Sequence, residues 1–381
     1  MKIKTISIAV ISLIAIGAIA AAIIFLNRSR PVEVTFENPE GINRAAMTGK
    51  KILMIHSYHK EWGWDIDMEK GITDGLASKG YIKDKDYEFK SFFMDTKITY
   101  TLPGQVQVRG DQAIKYIEDY KPDLVFINDD NALTYVAVPY SIKHPQENLP
   151  FVFAGINGDP TNFKSVIDSL EKPGHNMTGA LERFPYFEGF SLVKRMFPRV
   201  KTVALFADSS ESSNSVIAQL KKDGIDKDSK MPIKITAIVQ VDTFTDWQKK
   251  IEEYQTKADV IGVITYHQLK GTDGKIVDAS EVVLWTINHN KLPEIGFLLF
   301  HAEDGFWSAV GASAYKNGQY IGKIGADVMG GKNPGEIPIT DPKLVDIAFN
   351  LERSTMLGIK IPLDILNLAT QTYTEIKKTR F

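Results

Sequence analysis

Six short apolar runs, each breaking off into polar residues, constrain the fold of this chain more than any other feature. They fall into two matching sets. In the first, residues 52–55 lead into Ser57-Tyr58-His59, residues 124–127 into Asn128-Asp129-Asp130-Asn131, and residues 151–154 into Gly155, Asn157, Gly158 and Asp159. In the second, residues 203–206 lead into Asp208-Ser209-Ser210, residues 260–264 into Thr265-Tyr266-His267-Gln268, and residues 295–300 into His301-Ala302-Glu303-Asp304. Continuous apolar runs separated by helical stretches read as parallel strands covered on both faces. Ligands of open α/β sheets bind beyond the carboxyl ends of the strands. Two sheets with polar carboxyl edges imply two lobes facing one cleft, shaped to hold a small solute.

The bulk numbers fit that plan. The 381 residues, 44% hydrophobic and 24% charged, suffice for two domains with real cores. The first thirty residues hold four of the 45 basic side chains (Lys2, Lys4, Arg28, Arg30) and none of the 47 acidic ones, so the remainder is acidic. Such a balance argues against nucleic acid as a partner. The absence of cysteine excludes disulfides, thiolate metal sites, cysteine nucleophiles and a cysteine-linked lipid anchor.

Residues 6–26 are uncharged and strongly apolar, and Lys2 and Lys4 precede them. A stretch of about 20 apolar residues spans a bilayer, with basic residues holding its start in the cytoplasm. Ala18-Ile19-Ala20 also offers a signal-type cleavage site. Residues 1–30 therefore read as a signal peptide or a membrane anchor. Either way the rest of the chain is expected outside the cytoplasm, secreted or anchored by residues 6–26.

Residues 31–50 read as a linker. Beyond it the expected order is a helix over 66–78 stopping at Gly80, a strand over 87–94, and a helix over 106–120 stopping before Pro122. The second half repeats this order: a helix over 213–222, a strand over 233–241, a helix opened by a Thr245-x-x-Gln248 capping box, and a helix over 280–288. A strand over 309–314, a helix over 315–329, a strand over 343–350 and helices near 351–357 and 363–369 follow. Crossings between lobes are expected near 179–184, 306–310 and 338–345. Lobe 1 is then 51–180 plus 308–340, and lobe 2 is 181–307 plus 341–381.

Several ordered motifs carry a resemblance. Ser57-Tyr58-His59, Pro122-Asp123-Leu124-Val125, Pro150-Phe151-Val152-Phe153-Ala154-Gly155 with Asn157 and Asp159-Pro160, and Asn176-Met177-Thr178-Gly179 lie in the first half. Tyr315, Gly318-Gln319, Gly322, Gly331-Lys332-Asn333-Pro334, Ile337-Pro338, Asn350-Leu351 and Leu357-Gly358-Ile359-Lys360-Ile361-Pro362 lie in the tail. Together, over about residues 50–375, they resemble the ABC-transporter substrate-binding family that includes tryptophan- and tyrosine-binding lipoproteins. That family is a branch of the type I periplasmic binding proteins. The resemblance implies an α/β fold of two lobes, each a parallel sheet flanked by helices, joined by several hinge crossovers. It also implies an amino-acid-like small-molecule ligand and an ABC permease as partner. The family commonly carries a lipid-modified cysteine, which this chain lacks. Trp62-Gly63-Trp64 looks more like versions of the domain that serve membrane sensor proteins.

The residue types at the strand ends suggest a division of labour. Helix starts after Ser57 and Ser209 to Ser213 suit an anionic oxygen. Asp129, Asp130, Glu303 and Asp304 suit an ammonium or hydroxyl donors. Tyr58, Trp62, Trp64, Tyr266 and Trp307 offer aromatic walls. The candidate ligand-binding residues are Ser57, Tyr58, His59, Trp62, Trp64, Asp129, Asp130, Asn131, Gly155, Asn157, Asp159, Asp208, Ser209, Ser213, Tyr266, His267, Glu303 and Asp304. Their rival readings are helix caps, turns and packing. No cofactor and no metal are expected, since His56-x-x-His59 has no evident third ligand. Asp65-x-Asp67-x-Glu69 puts Lys70 where a calcium loop needs glycine.

Enzyme chemistry finds no support. There is no G-x-S-x-G elbow, no Walker A spacing around Gly271 to Lys275, and no G-x-G-x-x-G at Gly318, Gly322 and Gly325. The leading expectation is an extracytoplasmic solute-binding protein for an ABC importer that captures a small polar or amino-acid-like ligand. The alternatives are a membrane-tethered ligand-sensing subunit and, behind both, an α/β hydrolase-type enzyme.

Overall fold

The computed structural model describes residues 49–377. The apolar stretch at 6–26 and most of the linker lie outside them. Among the described residues, no helix is long and apolar enough to cross a membrane.

The first half alternates strand and helix. It runs β1 (Lys50–His56), α1 (Gly63–Ser78), β2 (Tyr87–Phe93), α2 (Pro103–Tyr120), β3 (Leu124–Asn128), a helical run α3 over 130–143 with a π turn at Leu133–Ala137, β4 (Phe151–Ile156) and β5 (Met177–Leu181). The second half runs α4 (Tyr186–Met196), β6 (Thr202–Asp208), α5 (Glu211–Lys222), β7 (Lys234–Val241), α6 (Phe244–Tyr254), β8 (Val260–Val263), α7 (Ala279–His289), β9 (Glu294–Gly296), α8 (Phe300–Asp304) and β10 (Ser308–Ala312). The tail adds α9 (Ala314–Met329), β11 (Val345–Asn350), α10 (Leu351–Met356), α11 (Leu363–Leu366) and β12 (Gln371–Tyr373).

The strands form two sheets, ordered β2-β1-β3-β4-β5 and β12-β11-β10-β9-β8-β6-β7. All pairs are parallel except β10 with β11. The uninterrupted apolar character of the runs has its cause here. Every residue of β3 and β4 is buried, because helices cover both faces of the sheet.

The crossings are set by α9. Although β10 belongs to the second sheet, α9 packs against α1 of the first half. The helices meet backbone to backbone. A Cβ at Gly71 would fall 2.1 Å from the Tyr315 carbonyl, and one at Gly318 would fall 2.4 Å from that of Met68. The second crossing therefore follows Ala312, and residues 308–312, expected in lobe 1, stay with the second sheet. Residues 177–181 are likewise a strand, so the first crossing is Glu182 to Pro185. In the third, Thr340 accepts from the Leu181 N–H (2.8 Å) before the chain enters β11.

Two other expectations are corrected. Thr243, not Thr245, caps α6. Its hydroxyl accepts from the Asp246 N–H (3.1 Å), the frame that buries Phe244, Trp247 and Ile251 on one face. The run at 295–300 is strand only to Gly296, and α8 begins at Phe300. The tail is locked to the second sheet by fully buried Arg353, which donates to the carbonyls of Ile287 (2.7 Å) and Asn290 (2.8 Å) and pairs with Glu294.

Candidate functional site

At the first rim, the end of β1 is tied to the end of β3. The Ser57 hydroxyl donates to the Asn128 carbonyl (2.8 Å) and accepts from the Ala132 N–H (2.9 Å), so it caps α3. Behind it lies a buried polar chain. Trp64 Nε1 donates to Asn128 Oδ1 (3.3 Å), Asn128 Nδ2 donates to Asp65 Oδ1 (2.6 Å), and His56 Nδ1 lies 3.4 Å from Asp65. His56 stacks on Phe93 with centroids 4.5 Å apart. Burial pulls its pKa down, but hydrogen bonds to Asp65 and Glu69 outweigh burial and raise it.

In front of that chain the Tyr58 and Trp62 rings meet edge to face at 6.1 Å, and His59 lies 5.6 Å from Trp62. Lys97 Nζ stands 4.6 Å from the Tyr58 centroid and 4.0 Å from that of Trp62. Beside them Asp129 adopts φ 71° and ψ 165°, a region essentially confined to glycine. Its side chain is buried, and Oδ2 has no hydrogen-bond partner among the described residues. Desolvation first, and then the charges of Glu182, Asp65 and Asp130, push its pKa well above the usual carboxylate range. The Tyr58 hydroxyl is raised too, foremost by the charge of Asp129.

The loop after β4 is held from two sides. Asp130 accepts from the N–H groups of Asn157 (3.1 Å) and Gly158 (3.0 Å). Arg183 donates to the carbonyls of Ile156 and Asn157 (both 2.9 Å), Gly158 (3.1 Å) and Glu182 (2.8 Å). Gly155 turns with φ 75° where a Cβ would crowd Asn128 and Asp129 at 3.3 Å. Asn131 donates to the Thr96 hydroxyl (2.8 Å). Asp159 caps the turn at Pro160–Asn162 and pairs with Lys222 of α5 at 2.7 Å. That Lys222 contact, with the Thr161 hydrogen bonds, lowers the Asp159 pKa to about 2.

The second rim is self-contained. Buried Asp208 accepts from the Ser210 N–H (3.0 Å), the Ser213 hydroxyl, the Thr265 hydroxyl (3.1 Å) and the Gln268 N–H (3.0 Å). Ser209 is exposed. Tyr266 is fully buried in the second core, stacks on His267 at 4.2 Å and donates its hydroxyl to Asp304. Glu303 accepts from Lys377 at 2.7 Å. Trp307, expected as a cleft wall, is core instead, packed between Phe197 and Phe349.

A cavity of about 590 Å³ opens between the first rim and α5. Asp130, Asn157, Glu182 and Arg183 line one side, while Val216, Gln219 and Leu220 of α5 line the other with Tyr186 and Phe187 of α4. Of the candidates named from sequence, Asp130 and Asn157 line it. The sequence does not single out Glu182 and Arg183, because residues 179–184 read as a crossing, whereas Met177–Leu181 is a strand with its own polar end. Burial, and then the charge of Asp130, raise the Glu182 pKa to about 7. Among the described residues no cluster of three or more His, Asp and Glu side chains suits a metal ion.

Comparison with known proteins bears on this arrangement. A tyrosine-binding protein of Clostridioides difficile (strain R20291) is 24% identical over 285 residues, 74% of this chain and 74% of that protein. The ligand-free, open structure of a Clostridium difficile substrate-binding protein with adhesive properties superposes with TM-score 0.66 at 18% identity, over 86% of this chain and all of that one. A Streptococcus pneumonia ABC domain in complex with L-Trp gives TM-score 0.57 at 22% identity, over 85% of this chain and all of that one. These are solute-binding proteins, not enzymes. Residues 66–373 match the family described as ABC transporter substrate binding protein, and with most of its length so matched this chain belongs to that family of extracytoplasmic receptors.

Proposed function

We propose that this substrate-binding protein captures an amino-acid-like solute between two lobes and hands it to the permease of an ABC importer. One lobe is built on the first sheet with α9, the other on the second sheet. The observation that carries the reading is the cavity between the first rim and α5, where a polar wall with Asp130 and Glu182 faces an apolar one with Val216 and Leu220. Its volume falls within the range of small-molecule sites. Tyr58, His59, Trp62, Trp64, Asp129, Asp130, Asn157 and Asp159 are the sequence candidates we retain as cleft residues. Ser57, Asn131, Gly155, Asp208 and Ser213 support the rims. The known ligands of relatives, tyrosine and L-Trp, direct the choice of amino acids as the first ligands to try.

Closing the lobes over a solute shifts an open–closed equilibrium, and the closed form is the one a membrane partner reads. Export and tethering by residues 6–26 complete the proposal.

Thermal unfolding of the full chain against amino acids, purines, sugars and organic acids tests it. A specific ligand at a hundredfold excess over Kd stabilises the fold by about 2.7 kcal/mol. An amino acid that raises Tm in this way supports the reading. Stabilisation by a sugar or a purine alone would replace the ligand class, and no stabilisation by any solute would remove the function.

A further inference from the structure

We propose that His56 is a positioning residue for the solute cleft: as a buried imidazolium between Asp65 and Glu69 it holds the end of β3, and ligand capture weakens when it loses that proton. The proposal rests on the reading of the cleft as the solute site and places its pH response in a residue behind the rim.

The geometry starts from the ring. His56 ends β1, is fully buried, and lies flat on Phe93 with an angle of 7° between the planes. With its plane fixed, each nitrogen faces one carboxylate of α1. Nδ1 stands 3.4 Å from Asp65 Oδ2, and Nε2 stands 3.6 Å from Glu69 Oε2. A neutral imidazole carries one N–H, so only the imidazolium turns a donor to both. Neither His56 Nε2 nor Asp65 Oδ2 has a hydrogen-bond partner among the described residues, so these longer contacts rest on charge. Asp65 is 1% exposed, and a buried carboxylate without a cation is costly.

Asn128 is the group that responds. Its Nδ2 donates to Asp65 Oδ1 (2.6 Å) and also lies 3.4 Å from His56 Nδ1. While Nδ1 carries a proton it is a donor toward Asp65, and the Asn128 amide has Asp65 alone. A bare Nδ1 accepts from Asn128 instead, and Asp65 loses a donor. The neutral ring favours this tautomer, because Nδ1 has a donor beside it whereas Nε2 faces only a carboxylate.

Asn128 carries the change to the cleft. Its Oδ1 accepts from the Trp64 indole (3.3 Å), and its carbonyl accepts from the Ser57 N–H (3.2 Å) and hydroxyl (2.8 Å). The next two residues are Asp129 and Asp130. Asp130 lines the cavity and holds the N–H groups of Asn157 and Gly158. His56 is thus coupled to the cavity wall through the end of β3 without being part of that wall.

A separate cavity of about 390 Å³ behind the rim, lined by Asp65, Glu69, Lys60, Lys83 and Phe93 among others, gives protons access to the network. The charged groups facing His56 are Asp65 and Glu69 of α1. From the turn before β2, Lys83 reaches Glu69 at 3.8 Å, while β2 itself presents Phe93 and Ser91 and β3 presents Asn128. Burial lowers the His56 pKa, and the two carboxylates more than reverse this and raise it from the usual 6.5. The rim is therefore held at pH below that raised value and released as pH rises through it.

NMR of the full chain from about pH 5 to 9 tests the proposal, first without a probe and then with L-tyrosine or L-tryptophan. The His56 ring resonances, identified by their contact with Phe93, are expected to titrate with a midpoint above 6.5. The Asn128 side-chain amide, the Trp64 indole N–H and the Asp129 backbone amide are expected to shift with that midpoint. In His56→Gln those shifts vanish, whereas any that belong to Glu182 remain. An amino acid that binds is expected to raise the midpoint, because linkage is reciprocal, and its Kd to weaken roughly fivefold across the transition. A midpoint below 6.5, or Asn128 and Trp64 signals that do not follow it, overturns the proposal. So does a midpoint unmoved by an amino acid that binds. If neither amino acid binds, it is the ligand class that fails, and the titration without a probe alone decides the positioning role. Should His56→Gln fail to fold, the titration of the unaltered protein decides.

Discussion

The two rims carry similar polar residues at equivalent strand ends, yet they are in opposite states. At the second rim Asp208 gathers four donors from two segments, residues 210–213 and 265–268, and those hydrogen bonds outweigh its desolvation and lower its pKa. At the first rim Asp129 lacks a partner for Oδ2 and Glu182 is held near neutrality, so burial raises both. A buried carboxylate that collects donors stabilises a fold, whereas one that lacks them destabilises it. The second rim is therefore a fastener, and the first holds the unsatisfied groups that a ligand completes.

The contrast is most exposed to test at Asp208. Asp208→Ala strands the Ser210 and Gln268 N–H groups, while the Ser213 and Thr265 hydroxyls keep each other, and it is expected to lower unfolding free energy by about 2–4 kcal/mol in denaturant titrations. A loss under about 1 kcal/mol would deny that this rim is a fastener. The mirror experiment is Asp129→Asn, which keeps the side-chain shape and removes the charge. It is expected to stabilise the ligand-free protein by about 1–2 kcal/mol at alkaline pH.

The sign follows from the raised pKa values. A carboxyl that holds its proton more tightly folded than unfolded lowers stability as pH rises above its unfolded value. For Glu182 the window runs from 4.5 to about 7. Stability of the ligand-free chain is thus expected to decline across that window, and Asp129→Asn with Glu182→Gln to flatten the decline. Tm measured from pH 4.5 to 8 checks it. A slope unchanged in the double variant would place the titrating groups elsewhere.

Much of this architecture was legible in the chain because apolar runs, helix stops and polar strand ends obey local rules. The helices after β1 and β6, the strand at β11 and the duplication all followed from period and punctuation. What was not legible depended on contacts between distant segments. Nothing local reveals that Gly71 and Gly318 let two helices touch, and hence that β10 stays with the second sheet while α9 leaves it. Nor does Asp208 differ locally from Asp129. Each is a buried aspartate at a strand end, and the donors around Asp208 come from Ser213, Thr265 and Gln268. Glu182 was hidden by a misread strand, and Trp307 by the assumption that an aromatic residue near a strand end faces the cleft.

The smallest expected effect concerns the contact that joins the rims. Lys222 of α5 reaches Asp159 beyond β4 at 2.7 Å, and its side chain is 59% exposed. Exposed pairs contribute about 0–1 kcal/mol, so Lys222→Met is expected to leave Tm nearly unchanged. Asp159→Ala would confuse the test, since Asp159 also caps the turn at Thr161. The informative quantity is shape, because a fraction of a kcal/mol that is trivial for folding is appreciable for a balance between open and closed lobes. The ligand-free Lys222→Met chain should show a larger radius of gyration in X-ray scattering. Raising salt to about 1 M, where screening contracts to about 3 Å, should move the unaltered protein the same way. If neither treatment changes the scattering, the Lys222–Asp159 pair is a surface contact with no part in closure, and the rims differ only in how they treat their own carboxyls.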